Sequence, residues 1–370
     1  MLNQEQILQA LKVVMDPDLH KDIVTLGFVR NVRIDGAKVD FDLVLTTPAC
    51  PVKDKLRDQA EAAVKAIPGV ASVEVRLSAD TSKQARHVDK NEVLTGVSHV
   101  IAISSGKGGV GKSTVAANLA CALARSGAKV GLMDADIYGP SQVMMLGVAD
   151  DPEIDDEKRL YPPSAHGVKV ISMAMFSQDD AAVVWRGPMV AQMMQNFIRQ
   201  VEWGTLDYLL IDLPPGTGDV QLTLTQSAPL SGALIVSTPQ DVALLDARKG
   251  LRMFEKVAVP VLGMVENMSG FVCDGCGKHH EIFKSGGASR VSRSLGVPYL
   301  GGIPLEPAVV QGGDAGVPVV LSHPESESAK AFEAIAEQLV RSVSILKATE
   351  GSSLRDFTLE WETLPEEELA

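Results

Sequence analysis

The segment Gly106-Lys107-Gly108-Gly109-Val110-Gly111-Lys112-Ser113-Thr114 constrains this chain more than any other. It fits G-x-x-x-x-G-K-[ST] and stands between the apolar run Val100 to Ser104 and the helical run Val115 to Arg125, the strand–loop–helix context that the motif requires. Its glycines let backbone N–H groups converge on phosphate oxygens. Lys112 supplies a point charge to β- and γ-phosphates, and Ser113 can ligate Mg²⁺.

The chain from residue 98 onwards suits that loop. Strand-like runs at Lys129 to Met133, Tyr208 to Ile211, Ala233 to Ser237, Val261 to Val265 and Tyr299 to Gly302 are separated by helical or loop segments. This alternation predicts an α/β domain with a doubly wound, mostly parallel sheet over 98–349, closing on a helix at Glu325 to Leu346. Residues 1–78 carry a separate pattern. A helix is expected over Gln4 to Val14, stopped by Asp16-Pro17-Asp18, then strands Phe28 to Ile34 and Val39 to Leu45 around Asp35-Gly36. A helix Val52 to Ile67 and a strand Val70 to Leu77 complete a small α+β domain of order α-β-β-α-β. Residues 79–97 lack apolar periodicity and read as a linker. Residues 350–370 hold seven acidic side chains against one basic, Arg355, and read as a solvated acidic tail.

Charge and cysteine usage exclude whole classes of function. With 47 acidic and 34 basic residues the net charge is -13, so a global affinity for nucleic acid or an anionic membrane is not expected. The longest apolar runs fall far short of the roughly 20 residues that a membrane span needs. Met1 to Gln6 lacks the basic-then-apolar pattern of a secretory signal. Four cysteines in 370 residues are not a disulfide framework, and the cytoplasm is the expected setting.

Further candidates for chemistry follow the strands in order. Asp134 and Asp136 come after Lys129 to Met133, and Leu209-Leu210-Ile211-Asp212 is an apolar strand ending in an aspartate. An aspartate so placed can hold Mg²⁺, often through water, which makes Ser113, Asp134 and Asp212 the candidate Mg²⁺ ligands. Alone, a strand-end Asp is usually a helix cap. Cys273-Asp274-Gly275-Cys276 offers two thiolates at the spacing of a half-site for a soft metal. Three readings compete: half of a [4Fe–4S] site completed by a second subunit, a zinc site using His279 or His280, and a thioredoxin-like redox pair. The redox pair belongs at a helix start early in a βαβ unit, whereas this one follows a late strand. Cys121, among Leu119, Ala120, Ala122 and Leu123, reads as core, and Met144-Met145 and Met193-Met194 read as helix packing.

The second lysine of the loop, Lys107, makes Lys107 to Thr114 resemble the deviant Walker A (SIMIBI-class) ATPases. That resemblance implies that Lys107 reaches across a dimer interface to the partner's nucleotide and that Asp136 polarises the attacking water. It also implies that Asn267 hydrogen-bonds adenine beside a base-contact loop at Pro239-Gln240-Asp241, hence ATP. The string Glu266-Asn267-Met268-Ser269-Gly270-Phe271-Val272-Cys273-x-x-Cys276, with Asp212-Leu213-Pro214-Pro215-Gly216-Thr217-Gly218-Asp219 and Trp185-Arg186-Gly187-Pro188, resembles the Mrp (ApbC-like) iron–sulfur carrier ATPases over residues 98–345. It implies a homodimer that holds a labile [4Fe–4S] cluster between two Cys273/Cys276 pairs. Scaffold or donor proteins would load the cluster, and apo-proteins would accept it. Asp16-Pro17-Asp18, Asp22-Ile23-Val24-x-Leu26-Gly27 and Thr47-Pro48-Ala49-Cys50-Pro51 resemble the SufT/PaaD-like iron–sulfur assembly domain. Cys50 is there either a thiolate favoured by a helix dipole or a small buried hydrophobe. The rival readings are a MinD/ParA-type positioning ATPase and a zinc-stapled nucleotide-binding scaffold.

Overall fold

The structure is a computed structural model that describes residues 2–45, 51–79, 93–137, 139–176, 187–216, 218–273, 275–276 and 278–351. Cys50 and most of its motif, residues 80–92 of the expected linker, Tyr138, Trp185, Arg186, Thr217, Asp274, Gly277 and the tail from 352 lie outside the described residues.

The first helix, α1 (Gln4–Leu11), begins where two side chains cap each other. Asn3 Oδ1 accepts the Gln6 N–H at 2.8 Å while Gln6 Oε1 accepts the Asn3 N–H at 3.2 Å, which satisfies two otherwise orphaned donors. The helix stops three residues short of the expected Val14. Val14 stays buried because the chain folds back and its carbonyl accepts Ile23 N–H at 3.1 Å. Strands β1 (Val29–Asp35) and β2 (Lys38–Leu45) form an antiparallel hairpin closed by the pair Asp35 and Lys38, with Gly36 at φ 59° in the turn. Helix α2 (Lys53–Lys65) and strand β3 (Ser72–Ala79), parallel to β2, complete the α-β-β-α-β order. Val39, Phe41, Leu43 and Leu45 alternate onto Leu56, Ala60 and Val64 of α2, so this unit has a core of its own.

The remainder runs β4 (Val97–Ser104), α3 (Lys112–Arg125), β5 (Val130–Asp134), α4 (Gln142–Met145), β6 (Glu153–Ile154), β7 (Leu160–Tyr161), β8 (Ser164–Ala165), β9 (Val168–Ser172), α5 (Gly187–Gln200), β10 (Leu206–Asp212) and α6 (Asp219–Ser227). It continues through β11 (Gly232–Ser237), α7 (Asp241–Lys256), β12 (Val261–Val272), β13 (His279–His280), α8 (Gly287–Ser294), β14 (Tyr299–Leu305), α9 (Pro307–Asp314), α10 (Val319–Ser322) and α11 (Glu327–Gly351). The sheet order is β13-β12-β11-β4-β10-β5-β9-β8, with β14 beside β12. Every pairing from β14 through β12, β11, β4, β10 and β5 to β9 is parallel.

Both faces of this sheet are covered, which is why its strands read as unbroken apolar runs rather than as alternations. Ile101, Ile103, Leu132, Leu210 and Leu234 pack with α3 and α11 on one face. Their neighbours Val100, Ala102, Met133, Leu209 and Ile235 pack with α5 and α7 on the other. Several strands outrun their apolar signal. Pairing of Val97 with Leu206 extends β4 upstream, and β12 continues past Val265 through the polar Glu266, Asn267 and Ser269 to Val272. Helix α11 likewise continues two residues into the expected acidic tail.

Candidate functional site

The glycine loop leaves the carboxyl end of β4, the position at which open parallel sheets bind ligands. Gly109 and Gly111 sit at φ 78° and 80°, a region that side-chain-bearing residues avoid. Gly111 is also the residue before α3, so the helix's free N–H groups and the positive end of its dipole face the loop. Space demands glycine as well. A Cβ on Gly106 would overlap the Asp246 backbone in α7, and one on Gly111 would overlap the Asn267 side-chain nitrogen. Lys107 is exposed at the loop's outer edge, whereas its carbonyl accepts the Ser105 hydroxyl at 3.0 Å.

Lys112 turns inward. Its Nζ pairs with Asp212 Oδ1, the lysine 5% exposed and the aspartate fully buried, and it lies 3.4 Å from Ser113 Oγ. Gln142 Nε2 donates to the other oxygen of Asp212 at 2.8 Å and to the Ser113 carbonyl at 3.0 Å. Its Oε1 is buried without a hydrogen-bond partner. Ser113 Oγ, the Asp212 carboxylate and this unsatisfied amide oxygen are the hard oxygen donors that Mg²⁺ or its bound water selects, so the residues present fit that ion.

Asp134 does something different. Its Oδ1 accepts Asp136 N–H at 3.1 Å, and its Oδ2 accepts Ser141 N–H at 3.0 Å, Gln142 N–H at 3.1 Å and the Ser172 hydroxyl at 3.0 Å. The carboxylate therefore anchors the start of α4 and sets Gln142 in place. Burial and the nearby Asp212 charge push its pKa up to about 7, against the lowering effect of those hydrogen bonds. Asp136, half-buried, follows two residues beyond the strand end.

Asn267 lies within β12 rather than beyond a strand end, and its amide is engaged on both sides. Nδ2 donates to the Val110 carbonyl of the phosphate loop at 2.9 Å, and Oδ1 accepts Met268 N–H at 3.0 Å. In this arrangement the residue expected to contact adenine buckles the phosphate loop. Asp241 opens α7 and is paired with Lys284 at 2.9 Å, which lowers its carboxyl pKa.

The cysteine pair sits at the tip of β12. Phe271 and Val272 pair antiparallel with His280 and His279 of β13, and Cys273 N–H bonds the Lys278 carbonyl at 3.0 Å, which closes the base of a thiol-bearing knuckle. Cys273 is half-buried and Cys276 exposed, with His279 and His280 also exposed. Among the described residues no three His, Cys, Asp or Glu side chains come together as a metal-binding group. Among the described residues one chain thus presents two thiols here rather than a closed ligand set. Cys121 is core, as expected, and burial raises its thiol pKa to about 12.

Sequence reasoning missed Gln142 and Ser172. Neither stands in a recognisable spacing, since they reach the site only through the Asp134 anchor and through β9, whose run Val168 to Ser172 follows a set of short strands.

Residues 96–340 match the family model described as NUBPL iron-transfer P-loop NTPase, and residues 4–75 match one described as iron-sulfur cluster assembly protein. The iron-sulfur cluster carrier protein of Synechocystis is 51% identical over 350 residues, 93% of this chain and 99% of that protein. Its Escherichia coli namesake is 42% identical over 324 residues, 87% and 88% of the two chains. Among solved structures, the nucleotide-binding protein of Archaeoglobus fulgidus in complex with ADP aligns at TM-score 0.54 and 41% identity, over 60% of this chain and 88% of that one. The cell division ATPase MinD of Pyrococcus furiosus aligns at 0.51 and 29%, over 66% and 98%. The chain belongs to the NUBPL-type iron-transfer P-loop NTPases, the Mrp/ApbC family that includes these iron–sulfur cluster carrier proteins.

Proposed function

We propose that this protein is an ATP-hydrolysing carrier that holds a [4Fe–4S] cluster between the Cys273/Cys276 pairs of two copies and passes it to apo-acceptor proteins. The observation that carries the reading is the two-thiol knuckle that follows β12, with Cys273 half-buried and Cys276 exposed, on the strand whose Asn267 also holds the phosphate loop. Backbone N–H groups of residues 106–114 bind phosphate oxygens, and Lys112 exchanges Asp212 for the β/γ-phosphates. Ser113 and Asp212 would hold Mg²⁺, with Gln142 and Asp134 positioning them, and Mg²⁺ held there would supply neutralisation of charge on the phosphates. Asp136 orients the attacking water. Lys107, exposed on its own chain, serves the nucleotide of the second copy. Nucleotide state and dimer geometry then become linked, and the dimer's grip on the cluster changes with them. Thiols that must stay reduced suit the reducing cytoplasm.

The MinD-like reading shares the fold but leaves the thiol knuckle without a task. Anaerobic purification followed by iron, acid-labile sulfide and zinc analysis tests the proposal. It expects about four irons per dimer for one Cys₄-ligated cluster, lost in Cys273→Ala and in Cys276→Ala with nucleotide binding retained. Stoichiometric zinc without sulfide would favour the scaffold instead.

A further inference from the structure

Glu266 is a carboxylate with no exposed surface, one residue from the asparagine that buckles the phosphate loop. A buried charge of this kind is costly and persists only where it is hydrogen-bonded. Its oxygens accept from Ser269 Oγ at 2.7 Å, Gly286 N–H at 2.8 Å and Ala288 N–H at 2.7 Å. Gly286 and Ala288 flank the start of α8, where the excursion carrying Cys273 and Cys276 rejoins the domain. Glu266 therefore clamps the base of the thiol-bearing segment, while Asn267, its neighbour, grips Val110 in the opposite direction.

The strand between clamp and thiols is not regular. Met268 lies at φ 58° and Gly270 at φ 84°, and the pairing of β12 with β14 slips between Asn267 and Phe271. A Cβ on Gly270 would fall 2.5 Å from the His279 ring, so the bend also seats the knuckle. Methionine in the left-handed region is held there by its surroundings, and such strain collects at elements that switch.

We infer that Glu266 is a positioning residue that transmits the state of the phosphate loop, through the Asn267 buckle and the bent strand 266–270, to the thiol-bearing segment 273–286. A nucleotide that draws the loop onto its phosphates pulls on Val110. Asn267 moves with it, and Glu266, fixed to the same strand, shifts the anchor points at Gly286 and Ala288. The inference rests on the carrier reading for its purpose but not for its test. Spatial connection alone does not establish coupling, which has to be measured as a differential response.

The test is hydrogen–deuterium exchange of the full-length protein, followed in peptides covering 273–286, with and without Mg²⁺ and a non-hydrolysable ATP analogue. In the wild type the analogue is expected to change exchange in this segment by about fivefold or more, the lower end of ordinary coupling between sites. Glu266→Gln keeps the shape, but its one carbonyl oxygen serves only one side of the clamp, and its amide nitrogen cannot accept, so either Gly286 N–H or Ala288 N–H loses its acceptor. It is expected to bind the analogue as the wild type does and to lose the response in 273–286. Ser269→Ala, which removes one of the three bonds, carries the same comparison with a smaller loss and serves if Glu266→Gln fails to fold. An unresponsive wild-type segment, or a full response in the folded variants, overturns the inference. Iron content is measured separately: protein without iron would refute the carrier reading while leaving the exchange result to decide the coupling.

Discussion

Asp134 and Asp212 are register partners at the carboxyl ends of neighbouring parallel strands, both fully buried, yet they are stabilised by different means. Asp212 is paired with the Lys112 ammonium, and Asp134 is held by the hydroxyl of Ser172 and three backbone N–H groups. The first is therefore the carboxylate whose charge a nucleotide site can exchange, and the second is a fixed anchor.

Removing Lys112 leaves the fully buried Asp212 carboxylate without its cation, and breaking a buried pair from one side costs about 3–5 kcal/mol. Lys112→Ala is expected both to abolish ATP turnover and to lower the melting temperature. Adding Asp212→Asn should return much of the stability and none of the turnover, a pattern that calorimetry and a phosphate-release assay read together. Turnover by folded Lys112→Ala would remove the phosphate loop from the mechanism.

Gln142 bridges the Asp212 carboxylate and the Ser113 carbonyl, so it orients the groups assigned to Mg²⁺ without a charge of its own. Outer-shell partners of this kind change metal affinity or activity by about 10–100-fold when removed. In Gln142→Leu the Mg²⁺ concentration for half-maximal turnover is expected to rise by that order while the fold persists. An unchanged Mg²⁺ titration would assign Gln142 to packing alone.

The loop, the strand-end aspartates and the cysteine pair were legible because each is local in sequence. Gly106 to Thr114 and Cys273 to Cys276 carry their spacing with them, and β4, β5 and β10 are apolar on both faces. What was not legible depends on tertiary pairing. Asn267 looked like a loop residue because Glu266, Asn267 and Ser269 break the apolar run, but strand pairing with β14 carries β12 through them. Gln142 and Ser172 become site residues only when the Asp134 carboxylate gathers two distant segments.

The thiols differ enough in environment for chemistry to separate them. Burial lifts the Cys121 pKa to about 12, so at pH 8 it is almost wholly protonated, and its fully buried position denies reagents access. Cys276 is exposed. Iodoacetamide at pH 8 followed by peptide mapping is expected to label Cys276 first and Cys273 after it, with Cys121 modified only in denaturant. Early labelling of Cys121 would mean that the α3 face of the core opens in the native protein.

The N-terminal unit has a core that shares no residue with the two cores flanking the large sheet. Contacts between the units include the Lys53 ammonium on the Ser126 carbonyl at 3.4 Å and a half-buried Arg341–Asp18 ion pair at 3.6 Å, both longer than well-formed hydrogen bonds. A fragment of residues 93–351 is therefore expected to fold, hydrolyse ATP and hold the cluster. If Cys50 takes part in loading or handing over the cluster, this fragment and full-length Cys50→Ala should both transfer it more slowly to an apo-acceptor. If Cys50 only packs, Cys50→Ala should lower the melting temperature of the N-terminal unit and leave transfer unchanged. Measuring transfer kinetics and melting on the same variant separates the two, since unchanged transfer ends the functional claim for Cys50 whatever happens to stability.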